Sequence, residues 1–304
     1  MTIVVTGGSG FLGRFVVEQL RSKYDNVISL NSKDYNLIDN SQVIKMYENC
    51  RPNIIIHLAA EVGGIGANMN NPGRFFYSNM SMGLNLVENA RIFGLKKFVF
   101  VSTVCAYPKF ATAPFTEDDM WNGYPEETNA PYGIAKKAIM VMLQGYKTQY
   151  GLKSCVLVPT NLYGPYDNFN PNSSHVIPAL IRKCTEAKQN HSPYIECWGD
   201  GSATREFLYV EDAARGIVAG TGKVDDPQPI NLGSGNEVSI KNLVEKIAGM
   251  VGYGGKILWD TSKPNGQPRR FLDVTKAKQY LEWQAQECFD TGLKKTIQYY
   301  VNLK

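Results

Sequence analysis

Short apolar segments alternate with amphipathic ones along the first half of the chain. Aliphatic and β-branched residues dominate five predicted strands, TIVVT, NVISL, NIIIHLAA, KFVFVST and SCVLVP. Between them, apolar positions recur at helical spacing in residues 11–21, 41–50, about 72–93 and about 131–150. Strand and helix alternation of this kind predicts a parallel sheet with helices on both faces, and nearly continuous apolar strands fit burial on both sides.

The alternation ends after residue 162. Residues 164–174 are rich in Asn, Pro and Ser, which predicts a loop. The segments beyond it are mixed, with helical patterns in HVIPALIRKCTEA and KNLVEKIAGMVG and short strand patterns in YIECW and REFLYV. We therefore predict one domain over residues 1–162, rejoined by about 204–224, and a smaller C-terminal mixed α/β substrate lobe over residues 163–304.

Composition and charge narrow the choice of partners. The chain of 304 residues has 43% hydrophobic and 20% charged residues, which is ordinary for a globular protein. Its net charge of +4 is too weak to favour nucleic acid, although it would help an anionic small substrate to approach. We expect no nucleic-acid partner.

The cysteine pattern and the apolar segments bear on metals and membranes. The six cysteines form no C-x-x-C pair, so we expect neither a zinc site nor a disulfide framework. The N-terminus shows no secretory pattern, and no apolar stretch reaches membrane-spanning length. We therefore expect a cytoplasmic protein with no membrane partner and no metal.

A glycine-rich loop, TGGSGFLG, joins the first predicted strand to the first predicted helix. Glycines here permit a tight turn and let a pyrophosphate approach the helix N-terminus closely. A plain glycine turn is the alternative, but the strand–turn–helix context favours a dinucleotide site on a Rossmann-like doubly wound parallel sheet. The predicted cofactor contacts in this loop are Gly7, Gly8, Ser9, Gly10, Phe11, Leu12 and Gly13.

The end of the second strand bears on the choice between NAD and NADP. An acidic residue there commonly binds the ribose hydroxyls of NAD, whereas here the strand ends in Leu30, Asn31, Ser32 and Lys33. The cation of Lys33 suits a 2′-phosphate, which predicts NADP(H) as the cofactor. Asp39 could hydrogen-bond an adenine amine or cap the next helix, and the sequence leaves both interpretations open.

Tyr132 and Lys136 lie four residues apart in APYGIAKK, at the start of a predicted helix. A simple helix start with a solvated lysine is the alternative, because Y-x-x-x-K is common. However, the fourth strand ends at Ser102 and Thr103, and ligands of parallel sheets bind at that edge. There a nearby ammonium and a nicotinamide would lower the pKa of the Tyr132 phenol, which could then exchange a proton with a carbonyl oxygen.

Taken together, TGxxGxxG, HLAA, a Ser/Thr after the fourth strand and YxxxK resemble the extended short-chain dehydrogenases/reductases over nearly the whole chain. The resemblance implies that Thr103 is the catalytic hydroxyl beside Tyr132 and Lys136. Most relatives have Ser at this place, and Ser102 lies next to it. It also implies further cofactor contacts at Leu58, Ala59, Ala60, Ser102, Lys136, Pro159, Thr160, Asn161, Leu162 and His175.

Several longer stretches are similar to the GDP-L-fucose synthase family. They are AAEVGGIGAN, CAYPK, EETNAPYGIAK, PTNLYGPYDNFNPNSSHVIPALIRK, WGDGSATREFLYVED and SKPNGQPRRFLDV. That family converts GDP-4-keto-6-deoxy-D-mannose to GDP-L-fucose with NADPH, by epimerising C3 and C5 and then reducing C4. The resemblance implies that Cys105 and His175 are the acid and base of the epimerisation, although each alone could be structural.

The same resemblance implies the substrate contacts and the assembly. The expected contacts with the GDP-sugar are Lys183, Trp198, Arg205, Asn265 and Arg270. The helices near 72–93 and 131–150 are expected to form a homodimer. Two other functions stay open: a reductase or epimerase acting on another nucleotide sugar, such as a GDP-heptose, and a non-catalytic NADP-binding regulator. The intact Thr103, Tyr132 and Lys136 disfavour the regulator.

Overall fold

The computed structural model describes residues 1–263 and 267–303. The strands are β1 Thr2–Thr6, β2 Asn26–Leu30, β3 Ile54–His57, β4 Lys97–Val101, β5 Ser154–Pro159, β6 Asn161–Tyr163, β7 Tyr194–Trp198, β8 Thr204–Tyr209, β9 Pro229–Leu232, β10 Glu237–Ser239, β11 Lys256–Asp260 and β12 Arg269–Arg270. The helices are α1 Phe11–Arg21, α2 Asn40–Cys50, α3 Ile65–Asn70, α4 Pro72–Ile92, α5 Ala130–Tyr150, α6 Val176–Gln189, α7 Val210–Lys223, α8 Ile240–Val251 and α9 Phe289–Asn302. Short 3₁₀ turns cover Val104–Ala106 and Glu117–Trp121, and a π-helical turn covers Ala277–Leu281.

The main sheet is parallel throughout, with strand order β2-β1-β3-β4-β5-β9. Its central strands β3, β4 and β5 are buried along their whole length, which explains their uninterrupted apolar runs. The predicted Rossmann-like fold is confirmed. The structure adds a sixth strand, β9, that the sequence analysis did not predict.

Alternate residues of the strands point into two separate cores. Val4 and Ile55 face the core that α2, α4 and α5 cover. Ile3 and Ile56 face the core that α1 and α7 cover. Because side chains alternate across a strand, the same apolar run serves both layers, and the carboxyl-end edge of the sheet is left open between them.

The C-terminal half builds a second, mixed layer. Strands β10, β8 and β12 form a sheet to which β6 adds through β8, while β11 pairs with β7. Helices α6, α8 and α9 pack a third core around Ile181, Leu243 and Leu293.

The segment expected to rejoin the first domain, about 204–224, divides between the two layers. Its strand β8 lies in the second sheet, whereas its helix α7 packs against α1 and the main sheet. The main sheet is rejoined by β9, just beyond that segment. The domain boundary at residue 162 stays a prediction.

A helix that crosses a lipid bilayer must be both long and apolar. Among residues 1–263 and 267–303, no helix has both the length and the apolar character needed to cross a membrane.

Candidate active site

A cavity of about 1530 Å³ opens at the carboxyl ends of the main-sheet strands. Thr6, Leu58, Val101 and Pro159, which end or follow β1, β3, β4 and β5, line it. Ligand pockets commonly measure about 300–1,000 Å³. The cavity therefore has room for a dinucleotide and a second large ligand side by side.

The glycine loop forms one end of this cavity. Gly7 has a φ of +69°, and a Cβ at Gly13 would lie 2.1 Å from the Gly7 carbonyl oxygen, so the loop packs too closely for side chains. Gly10 is the N-cap of α1 and provides no side-chain cap, which leaves the first amides of the helix available to an anion. Every predicted loop residue lines the cavity except Gly8, whose Cα faces Ser29 of β2.

The end of β2 gives a mixed result for the predicted adenosine contacts. Leu30, Asn31 and Ser32 line the cavity, whereas Lys33 is exposed and lies outside the lining. Asp39 caps α2, because its carboxylate accepts from the Ser41 N–H at 2.9 Å. Of the two interpretations of Asp39, the structure favours the helix cap.

The long wall of the cavity carries the other predicted cofactor contacts. The lining includes Leu58, Ala59, Ala60, Ser102, Pro159, Thr160, Asn161 and Leu162. The Ser102 hydroxyl is buried without a hydrogen-bond partner in the described part of the chain. A buried polar atom of this kind needs a partner, and a bound ligand in the cavity would supply one. The close-packed glycine loop and this hydroxyl fit a dinucleotide.

Thr103, Tyr132 and Lys136 come together where β4 and α5 meet. The hydroxyl of Thr103 hydrogen-bonds the phenol of Tyr132, and Thr103 Oγ1 also accepts from the Cys105 N–H at 3.1 Å. Burial raises the pKa of the Tyr132 phenol, and the nearby Cys105 raises it further, against the opposing effect of the Thr103 hydrogen bond. The lowering expected from the sequence included the effect of a bound nicotinamide. Among the protein's own groups, burial has the largest effect and raises this pKa.

Lys136 is enclosed one helical turn beyond Tyr132. Its ammonium donates to the Val101 carbonyl at 3.1 Å and lies 4.9 Å from the centre of the Phe100 ring and 5.9 Å from that of Tyr132. Burial lowers the pKa of Lys136 to about 7. The amine is thus poised to gain or lose a proton near neutral pH.

Cys105 lies two residues beyond Thr103 in the chain, beside two arginines. Arg270 Nη1 donates to the Cys105 Sγ at 3.7 Å. Arg205 of β8 pairs with Arg270 of β12. Burial and Arg270 lower the pKa of Arg205 to about 10, while Cys105 and Glu126 act in the opposite direction. The thiol therefore lies half-buried in a cationic corner of the cavity.

His175, Lys183 and Trp198, which are further predicted contacts, also line the cavity. His175 is the N-cap residue of α6, and its ring does not cap the helix. The residue is exposed in the cavity lining, where loss of hydration among the surrounding residues lowers its pKa. Lys183 and Trp198 line the cavity near each other, with the Lys183 ammonium on the Glu196 carbonyl. Asn265 lies outside the described residues.

Glu126, Arg182 and Lys263 also line the cavity and were missed from the sequence. Arg182 adjoins the predicted Lys183, and Glu126 lies in the stretch EETNAPYGIAK. Their position within stretches that resemble the family could therefore have identified them as candidate site residues. Among residues 1–263 and 267–303, no group of His, Cys, Asp and Glu has the arrangement of a metal site.

Fold and cavity define an NAD(P)-dependent enzyme of the Rossmann type, and comparison with known proteins agrees. The model of the NAD dependent epimerase/dehydratase family matches residues 3–233, and the chain belongs to this family. Within the family its curated relatives include the GDP-L-fucose synthase of Escherichia coli, which is 38% identical over 98% of this chain and 96% of that protein. The predicted family is confirmed.

Solved structures resemble the whole chain. A GDP-L-fucose synthetase from Naegleria fowleri bound to NADP has a TM-score of 0.89 and 32% identity, covering 99% of this chain and 92% of that one. A GDP-6-OMe-4-keto-L-xylo-heptose reductase from C. jejuni has a TM-score of 0.92 and 26% identity, covering 100% and 98%.

Proposed function

We propose that the protein is a GDP-L-fucose synthase that epimerises C3 and C5 of GDP-4-keto-6-deoxy-D-mannose and reduces C4 with NADPH. One observation carries this assignment: the Cys105 thiol lies in the same corner as Thr103 and Tyr132. A simple ketone reductase needs the two hydroxyls but has no use for a thiol next to them. The 38% identity to the Escherichia coli synthase over nearly the full chain supports the same function.

NADP(H) is the cofactor, and it would lie along the glycine loop and the wall that ends β3, β4 and β5. Its nicotinamide supplies the hydride for the reduction of C4. The backbone of Gly10 to Gly13 would hold the pyrophosphate at the N-terminus of α1, and Ser102 would supply a hydroxyl to the ring end. Lys33 as the 2′-phosphate contact stays a prediction, because its side chain lies outside the cavity lining.

Epimerisation depends on the acidity of the protons at C3 and C5. Both carbons flank the C4 ketone, so that loss of either proton places negative charge on the C4 oxygen. The hydroxyls of Thr103 and Tyr132 are positioned to stabilise that charge, as an oxyanion hole does. Inversion also requires a base on one side of the carbon and an acid on the other, and we assign Cys105 and His175 to these roles.

Reduction uses the same hydroxyls. Because burial raises the pKa of Tyr132, its phenol is protonated at neutral pH and can give a proton to the C4 oxygen. Lys136, whose pKa is about 7, lies next to the phenol and can help to restore that proton. A phenol held as an acid serves a reductase better than the phenolate that we expected from the sequence.

The nucleotide diphosphate would face the cations of the cavity. Arg205 and Lys183 are the proposed phosphate contacts, and Trp198, which is largely exposed to the cavity, would contact the nucleotide sugar. Arg270 would close the site over the sugar beside Cys105. The Asn265 contact remains a prediction from the sequence, because Asn265 lies outside the described residues.

The alternative is a reductase or epimerase for another GDP-sugar, such as a heptose. The structural similarity to the C. jejuni heptose reductase favours this alternative. A reductase would differ from the synthase in deuterium incorporation, because reduction alone leaves the ring protons in place. An epimerase for another GDP-sugar would differ in its substrate.

The proposed assembly is a homodimer through α4 and α5. Tyr77, Leu84 and Val141 on these helices are 60%, 42% and 53% exposed, which is unusual for large apolar side chains on adjacent helices. A cytoplasmic location stays a prediction.

The test is incubation with GDP-4-keto-6-deoxy-D-mannose and NADPH in heavy water, with the product read by NMR. We expect GDP-L-fucose carrying deuterium at C3 and C5, and we expect Cys105→Ser to reduce that incorporation strongly. Cys288→Ser is a suitable control, because Cys288 is exposed and lies outside the cavity lining. A reduced product without deuterium would favour a reductase over the synthase, and no NADPH oxidation with this substrate would contradict the proposed function.

A further inference from the structure

Glu126 lies in the cavity wall just ahead of the helix that carries Tyr132. Its Oε2 accepts from the Thr128 hydroxyl at 2.6 Å and from Asn129 Nδ2 at 2.7 Å, whereas its Oε1 accepts a longer bond of 3.3 Å from the Thr128 N–H. An ionised carboxylate offers about four acceptor positions. Oε1 therefore keeps acceptor capacity for a ligand, while Oε2 fixes the direction of the side chain.

The charge of Glu126 is unusual in its surroundings. The cations of the lining are Lys136, Arg182, Lys183, Arg205, Lys263 and Arg270. In the described part of the chain, Glu61 and Glu126 are the carboxylates of the lining, and Glu61 is held in an ion pair with Arg74. No lysine or arginine of residues 1–263 and 267–303 forms an ion pair with Glu126, although Arg205 interacts with its charge at longer range. Its Oε1 therefore remains open to a ligand donor.

Glu126 lies close to the reacting corner. Pro125, the residue before Glu126, forms a β-bridge with Pro108, three residues beyond Cys105. The first turn of α5 packs on the same segment, since a Cβ at Gly133 would lie 2.4 Å from the Cys105 carbonyl oxygen. A diphosphate would be repelled by Glu126 and attracted to the cations, so the group that meets Glu126 must be a neutral donor. On a nucleotide-linked 4-keto-6-deoxyhexose, the ring hydroxyls that remain are those on C2 and C3.

We propose that Glu126 determines substrate specificity by accepting a hydrogen bond from the C2 or the C3 hydroxyl of the hexose. The inference rests on the proposed function and deepens it by assigning a residue to the sugar ring itself. Since a carboxylate left without its partner hydroxyl in a closed site is unfavourable, sugars that lack this hydroxyl would be disfavoured.

The test compares Glu126→Gln with wild type on GDP-4-keto-6-deoxy-D-mannose and on its analogues that lack the C2 or the C3 hydroxyl. The readout is kcat/KM for NADPH oxidation, with the Kd for NADPH as a check on folding. Glu127→Gln is the matched control, because Glu127 is the next residue in the chain and is exposed in an ion pair with Lys109. Wild-type turnover of the full substrate tests the proposed function by itself, independently of the variants.

On the full substrate, Glu126→Gln is expected to lower kcat/KM about tenfold or more, mainly through KM. On the analogue that lacks the partner hydroxyl, wild type and variant are expected to agree within about threefold, and Glu127→Gln is expected to match wild type throughout. An equal loss on all three substrates would assign Glu126 to the support of α5 instead, and no loss would also overturn the proposal. If Glu126→Gln does not bind NADPH, Glu126→Asp, which keeps the charge but shortens its reach, takes its place in the same comparison.

Discussion

Arg270 donates to the thiol of Cys105, with 3.7 Å between Nη1 and Sγ, although 165 positions separate the two residues in the chain. Hydrogen bonds hold Arg270 and its segment in place. Its Nε donates to Gln267 Oε1, and the nearby Leu272 N–H donates to the buried carboxylate of Glu206. The contact therefore connects the proposed base to the C-terminal segment that would close over the sugar.

Arg270→Met should impair epimerisation, because the guanidinium orients the sulfur and stabilises negative charge next to it. We expect deuterium incorporation at C3 and C5 to slow about tenfold or more, with little change in the Kd for NADPH. Arg269→Met is the matched control, since Arg269 points away to an exposed ion pair with Glu237. Equal rates in the two variants would remove Arg270 from the mechanism.

Tyr132→Phe should abolish reduction, because it removes the proton that the C4 oxygen requires. We expect NADPH oxidation with the keto-sugar to fall at least about a hundredfold, while NADPH binding, followed by fluorescence titration, stays unchanged. Tyr150→Phe, on the exposed end of the same helix, should behave as wild type. Near-normal turnover by Tyr132→Phe would refute the assigned role.

The main sheet could be predicted from the sequence because its strands are buried on both faces. An uninterrupted apolar run as short as that of β4 is typical of a strand covered by helices on each side. Strand β9 escaped prediction because it is only four residues long and begins with Pro229, which usually argues against a central strand. Its place at the edge of the sheet makes the proline tolerable.

The chemistry of the site was less predictable than its location. The sequence placed Tyr132 and Lys136 on one helix face, but it could not show how deeply both are buried. In the protein without cofactor, this burial raises the pKa of Tyr132. The Arg270 contact and the place of Glu126 in the cavity wall depend on long-range packing. No local pattern encodes such packing.

Lys33→Ala should weaken NADPH binding much more than NADH binding, if its ammonium binds the 2′-phosphate. A charge-assisted contact of this kind is worth about tenfold or more in Kd, and it should shrink as salt is raised. Lys45→Ala, an exposed lysine on the following helix, is the control. Equal losses for both cofactors would show that Lys33 does not bind the 2′-phosphate.

The last prediction concerns the pH dependence of stability in the cofactor-free protein. Burial lowers the pKa of Lys136 from an ordinary 10.5 to about 7. Between these values the unfolded chain binds a proton that the folded protein does not, so that the free energy of unfolding increases with pH in this window. From pH 7 to pH 9 the contribution of Lys136 should amount to roughly 2 kcal/mol.

Lys136→Met removes the titrating group, so its stability should depend less on pH than that of wild type over this range. Urea unfolding of both proteins without cofactor, at pH 7, 8 and 9, measures the difference directly. The variant should be the more stable protein at pH 7, because it no longer buries an amine that is partly charged, and its advantage should shrink by pH 9. A constant difference between the two proteins across the series would mean that Lys136 keeps its ordinary pKa, and its part in restoring the proton of Tyr132 would then lose its support.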